Sequence, residues 1–235
     1  MILFALESSA GLSSVAVWRD TKILAHQFIE AKYGHAERIV SQADAAIEQA
    51  EIDLGDIDFF LGGRGPGSFT GIRTCLAAIT GYSIVANRQC YGVNGLSALG
   101  FGCVNNLIDK GIYDEKTVVL ALSDTRRGSF YCQKFSQKKI NPDDIEDLTL
   151  TQLHFKINSY ADIGYLVGIC GPFSEKNLEF KGNIKKPEQL YHSQENLDAT
   201  NIAQYGAWQI QNDKKLSPAT PLYLTPAKTN KTKIS

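Results

Sequence analysis

The stretch Gly62-Gly63-Arg64-Gly65-Pro66-Gly67-Ser68-Phe69-Thr70-Gly71-Ile72-Arg73 decides how this chain is read. It follows a compact apolar run, Ile57 to Leu61, and opens a helix-periodic segment from about Thr70 to Ala86, so it joins a strand to a helix. At such a junction the exposed backbone N–H groups and the positive end of the helix can hold an anion. Both phosphate fingerprints are nevertheless missed. A P-loop needs Lys-Ser or Lys-Thr after its last glycine, and Gly67 is followed by Ser68-Phe69; the dinucleotide pattern needs a third glycine where Thr70 stands. Chemistry alone leaves two readings open: a tight turn in which Ser68 or Thr70 caps the helix, and a ligand loop.

Working outward, Ile2 to Leu6, Ser14 to Trp18 and Lys22 to Phe28 read as an antiparallel meander, and Glu37 to Ala50 carries one apolar stripe at three- and four-residue steps, a helix. In the helix of 70 to 86, Ile72, Leu76, Ile79 and Ser83 or Val85 lie to one side, while Gly71, Thr74, Ala78 and Gly81 form a ridge of small side chains suited to close helix packing. After Cys90-Tyr91 a further helix is expected near Asn94 to Phe101. The pattern then restarts. Val118 to Leu122 is apolar, Ser123 to Gly128 is a turn and Ser129 to Phe135 alternates, so Ala121-Leu122-Ser123-Asp124 answers Ala5-Leu6-Glu7-Ser8 as an internal repeat. Leu166 to Ile169 reads as a strand running into Cys170-Gly171-Pro172, and Ile202 to Ile210 as a helix. The halves are divided as residues 1–104 and 105–235, with the helix near 200–212 able to return to the first half and 228–235 a solvated tail.

Composition narrows the function classes. With 24 basic and 25 acidic residues the net charge is -1, so no whole-molecule field draws the chain to nucleic acid or to an anionic membrane. Arg64, Arg73, Arg126 and Arg127 could only form a local surface for RNA phosphates. The five cysteines are an odd number without C-x-x-C spacing, which argues against a disulfide framework and a zinc knuckle and for a reducing cytosol. Met1 to Glu7 reads as a buried strand with no basic flank, and no stretch approaches the roughly 20 apolar residues of a membrane span. There is no G-x-S-x-G elbow for a Ser-His-Asp hydrolase.

The run Gly63 to Arg73 closely resembles the GRGPGSFTG(I/V)R signature of the TsaB family, bacterial subunits of tRNA threonylcarbamoyladenosine modification. Ile2 to Ala16, His35-Ala36-Glu37-Arg38-Ile39, Leu122 to Tyr131 and Pro221-Leu222-Tyr223-Leu224 are similar to further stretches of that family. The resemblance implies an α/β fold of the actin, heat-shock ATPase and sugar-kinase type, with two related lobes of mixed sheet flanked by helices. It also implies a cytoplasmic, non-catalytic scaffold that pairs with and activates a TsaD-like catalytic paralogue, joined by a TsaE-like ATPase, with tRNA met indirectly. ATP or ADP and a metal ion would then belong to the partner subunits. Pairing through helices 37–50 and 70–86 would place Ile39, Ala43, Ile72, Arg73, Leu76, Ala78 and Gly81 at the interface, and the same face would form a homodimer in isolation.

A TsaD-like catalyst resembling this chain would carry a His-x-x-x-His pair on a helix to bind metal; here His35 is followed four residues on by Ile39. His26, His154 and His192 have no ligand spacing. Glu7 and Asp124 stand in the two turns that hold carboxylates near phosphates in kinases of this fold, although the family generally has Asp at the first. With Arg64, Gly65, Gly67, Ser68 and Arg126 they are the candidates for an anion- or nucleotide-proximal site. The alternative function is a small-molecule kinase or ATPase of the same fold; a metallopeptidase-like enzyme would need the absent second histidine.

Overall fold

Alternation along the first strand builds the molecule's two largest apolar layers. In the computed structural model, which describes residues 1–30, 35–136, 145–171, 183–193 and 196–224, β1 (Ile2–Glu7) is buried on both faces. Leu3 and Ala5 face one core, Phe4 and Leu6 the other. β2 (Leu12–Arg19) and β3 (Lys22–Glu30) complete the antiparallel meander. α1 (His35–Gln49) follows, then β4 (Phe59–Gly63) parallel to β1, α2 (Phe69–Val85), β5 (Cys90–Val93) parallel to β4, and α3 (Gly95–Asp109).

The second half repeats the design. β6 (Thr117–Asp124), β7 (Ser129–Ser136) and β8 (Glu146–Thr149) form a meander, α4 (Leu150–Asp162) follows, and β9 (Leu166–Cys170) and β10 (Leu190–His192) add parallel strands. α5 (Ala199–Gln211) and a short β11 (Ser217–Pro218) close the described chain. The sheets run β11-β5-β4-β1-β2-β3 and β10-β9-β6-β7-β8. Apart from β11 they share one strand order, fifth-fourth-first-second-third, so the duplication read between Ala5 and Ala121 is a duplication of topology.

The layers stack as α1 and α2, first sheet, α5 and α3, second sheet, α4. Phe4, Phe60, Val15 and Val17 pack with Ile39, Ala43, Ile72 and Ile79 of the outer helices. Leu3, Leu61 and Ala16 pack with Ile202 and Ala203 of α5 and Leu99 of α3, and α3 carries that core to Val119 and Ala121 of the second sheet. Val118, Leu120, Val167 and Ile169 face Leu153 and Ile157 of α4. Each fully buried Phe or Leu contributes about 1.5–3 kcal/mol, enough to fix which face of each strand is which.

Some elements differ from their sequence reading. The helix expected to end near Phe101 continues to Asp109, because Cys103 and Leu107 are buried toward the second sheet; the division at 104/105 therefore falls inside α3. α4 has no counterpart in the sequence reading because its stripe is only Leu153, Ile157 and Ala161, beside an exposed Phe155. Its start is marked by a Thr149–Gln152 capping box, a legible signal. Cys90–Val93 is a full strand with both neighbours. Pro172 and the tail 228–235 lie outside the described residues. Among those described, no helix is long and apolar enough to cross a membrane.

Candidate functional site

The glycine loop is built into the core, and three of its backbone donors are bonded within the chain. Ser68 N–H donates to the Ser9 carbonyl at 2.8 Å, Gly71 N–H to Ser68 Oγ at 3.3 Å, and Arg64 N–H to the Val93 carbonyl at 2.9 Å. Ser68 is thus the N-cap of α2, as the capped-turn reading of the loop expects. Ser8 Oγ donates to the Gly71 carbonyl at 2.7 Å. A Cβ at Gly67 would sit 2.5 Å from the Ser9 carbonyl oxygen, and one at Gly71 would overlap the Ser8 carbonyl. The β1–β2 turn therefore presses directly on the start of α2. Gly65, at φ 93°, turns its carbonyl to Gly95 N–H at 2.9 Å, tying the loop to α3 as well.

The chain's C-terminal segment fastens the same loop from outside. Ser217 and Pro218 pair with β5, and Leu222 N–H donates to the Arg64 carbonyl at 2.8 Å. Tyr223 stacks on Phe69 with ring centroids 5.4 Å apart; Arg73 Nε donates to the Tyr223 hydroxyl at 3.0 Å, and its guanidinium lies 3.9 Å over the Phe69 ring. Arg64 is half-buried, which lowers its pKa by desolvation, and its Nε has no hydrogen-bond partner among the described residues.

Of the candidates for an anion site, Glu7 ends β1. It is fully buried, its Oε1 accepts from Ser9 N–H, and its pKa is pushed up to about 7, chiefly by desolvation. The carboxylate lies in the core beside Gly63. Asp124 Oδ1 accepts from Arg126 N–H at 2.7 Å, holding Arg126 at φ 57°. A Cβ at Gly11 would lie 3.9 Å from Arg126 Nη2, so the two hairpin turns do face each other across the molecule. Arg126 and the turn at 8–11 are brought together; Arg64, Gly65, Gly67 and Ser68 serve the loop's own packing.

The expected interface is corrected residue by residue. Ile39, Ala43, Ile72 and Leu76 are buried in this chain's own core and offer nothing to a partner. The helical stripe is apolar, as its spacing says, but periodicity does not say whether a stripe meets its own sheet or another protein. Ala78 is half-buried, and Arg73 and Gly81 are exposed. The outward face of α2 instead runs Arg73, Ala77, Gly81, Ile84 and Val85, the last two 72% and 77% exposed, beside Val40 of α1. Tyr82 braces the two helices, donating to Asp44 Oδ1 at 2.6 Å and to the Val40 carbonyl at 3.1 Å. The side chain of His35 lies outside the described residues. Among the described residues no three His, Cys, Asp or Glu side chains gather as metal ligands.

The fold and loop can be set against known proteins. A family model described as TsaD, tRNA N6-adenosine threonylcarbamoyltransferase, matches residues 23–216. The chain belongs to the TsaD family. Within that family its likeness to TsaB, carried by the glycine loop, is borne out. It is 29% identical over 137 residues to the tRNA threonylcarbamoyladenosine biosynthesis protein TsaB of Escherichia coli, covering 58% of this chain and 56% of that protein. It is 26% identical to the TsaB of Haemophilus influenzae, covering 61% and 57%. The chain thus matches little more than half the length of these relatives. The structure of YeaZ from Pseudomonas aeruginosa superposes with a TM-score of 0.73 at 19% identity, over 95% of this chain and 99% of that one, and confirms the two-sheet, actin-like α/β fold.

Proposed function

We propose that this TsaD-family chain serves in threonylcarbamoyladenosine biosynthesis on tRNA as a non-catalytic scaffold, docking on and activating a TsaD-like catalytic subunit. The observation that carries the reading is the outward face of α2, where Ile84 and Val85 stand exposed beside small Ala77 and Gly81. Small residues admit a helix closely, and the apolar pair supplies burial at the contact's end. Two further features support a supporting role. Ile39, four residues after His35, is packed into the sheet, so the helix face that would carry paired imidazoles is taken by apolar core. The loop's glycines and serines hold the fold together.

In this reading a TsaE-like ATPase joins the pair in the cytoplasm, tRNA is reached through the complex, and nucleotide and metal belong to the partners. In isolation the same α2 face closes a two-fold homodimer. The test is size-exclusion chromatography with light scattering on the chain mixed with the TsaD-type subunit of its own organism. A stable complex is expected, and Ile84→Glu with Val85→Glu should abolish it while the melting temperature holds. No complex with the unaltered chain, or a complex indifferent to both changes, would overturn the proposal.

The approach of Arg126 to Gly11 favours a second reading, a small-molecule kinase or ATPase of this fold. Titration with ATP and magnesium separates the two: the scaffold reading expects no tight binding by the lone chain.

A further inference from the structure

On the far side of the first sheet from α1 and α2, the edge strand β3, the second half of α3 and the first turns of α5 enclose a cleft of about 450 Å³. That is within the usual size of a small-molecule site, roughly 300–1,000 Å³. Alternation along β3 turns Ala25 into the α1 core and sends His26 and Phe28 to this face. Phe28 is 62% exposed, and its ring lies 5.7 Å from that of His26 at 31°, giving the cleft a flat wall. Gly102 of α3 contributes a position without a side chain.

The remaining walls are hydrogen-bonding. Five carboxamide side chains line the cleft, among them Asn105 and Gln204, together with the carboxylates of Asp109 and Asp198. Asp198 caps α5 with Oδ1, accepting from Thr200 N–H at 2.7 Å and Asn201 N–H at 3.2 Å, and keeps Oδ2 3.4 Å from His26 Nε2. Carboxamides both donate and accept, whereas carboxylates only accept. No lysine or arginine is among the described residues that line the cleft. Two carboxylates without a cationic counterpart of that kind disfavour a phosphate or carboxylate ligand. They suit hydroxyl donors, as an acidic side chain does on a ribose diol.

We propose that this cleft binds an uncharged vicinal diol on a ring, a sugar either free or as the ribose of an unphosphorylated nucleoside, with the ring against Phe28 and hydroxyls on the carboxylates. The site is separate from the α2 face and does not depend on the proposed partner.

Calorimetric titration of the full chain with ribose, adenosine, 2′-deoxyadenosine and AMP tests it. Saturable binding of adenosine or ribose is expected, with 2′-deoxyadenosine and AMP each at least about tenfold weaker, a loss of about 1.4 kcal/mol. Adenosine much tighter than ribose assigns the ligand as a nucleoside; equal affinities assign a free sugar. Asp109→Asn and Phe28→Ala should each weaken binding by about tenfold. Both positions are open enough for the melting temperature and any partner complex to stay as they were. Absence of saturable binding by both adenosine and ribose would overturn the proposal, as would equal affinity for AMP, or affinity unchanged in both variants.

Discussion

The carboxylate of Glu7 fills the space in which a side chain at residue 63 would begin: a Cβ added to Gly63 would overlap Glu7 Oε2. The strand pairing explains the collision, since β4 runs parallel beside β1 and Gly62 stands opposite Leu6. Glycine at 63 and a long acid at 7 are therefore one structural decision. Gly63→Ala should destabilise by about 1–3 kcal/mol, because the Glu7 carboxylate must shift within a packed core to admit the methyl group. Urea unfolding would read the loss; an unchanged midpoint would show that Glu7 lies elsewhere.

Burial, offset in part by hydrogen bonds from Ser9, pushes the Glu7 carboxyl from 4.5 up to about 7. The folded protein holds this proton more tightly than the unfolded chain. Its contribution to stability is therefore full below about pH 4.5 and lost as pH rises through about 7, by about 3 kcal/mol. Glu7→Gln keeps an acceptor for Ser9 N–H and removes the titration. Between about pH 5 and pH 8 the unaltered chain should lose stability relative to Glu7→Gln. Parallel pH profiles of the two would refute the assignment.

Two glycines of α2 should answer the same substitution with opposite signs. Gly71 lies against the Ser8 carbonyl, whereas nothing stands within 4 Å of a Cβ at Gly81. Gly71→Ala should cost several kcal/mol, while Gly81→Ala should stabilise by about 0.5–1 kcal/mol through helix propensity. Thermal unfolding decides it, and equal effects would contradict the packing of the turn on the helix.

Removing the Tyr223 hydroxyl should loosen the C-terminal segment without unfolding the core. Tyr223→Phe loses the bond from Arg73, about 1 kcal/mol, but keeps the stack on Phe69. Hydrogen exchange at Leu222, whose N–H is held by the Arg64 carbonyl, should speed up while β1 and β4 stay protected. Unchanged exchange at Leu222 would mean that the segment is held by β11 pairing alone.

Much of this molecule is legible in its residue pattern. The meander, α1, α2, the restart at Val118 and the helix near 202–210 follow from apolar periodicity, which local chemistry and burial fix together. The glycine loop marks the family because its spacing is long and specific. What periodicity misses is carried by few apolar residues, as in α4, or by a helix whose last turns face a second sheet, as in α3 beyond Phe101.

The interface reading shows where periodicity stops. Ile39 and Ala43 on α1 and Ile72 and Leu76 on α2 keep helical spacing, and so do Ala77, Gly81 and Ile84 on α2; only the position of the sheet says which turns inward. Glu7 is the same case at one residue. By itself the sequence determined the first meander, α1, α2, the restart at Val118 and the family, because each depends on neighbours within a few residues or on a long motif. The tertiary structure alone decided that Glu7 faces the core, that the N–H groups of Ser68 and Arg64 are bonded to the carbonyls of Ser9 and Val93, and which face of α2 meets solvent. Those outcomes depend on contacts between residues far apart in the chain, and no local pattern encodes a distance in space.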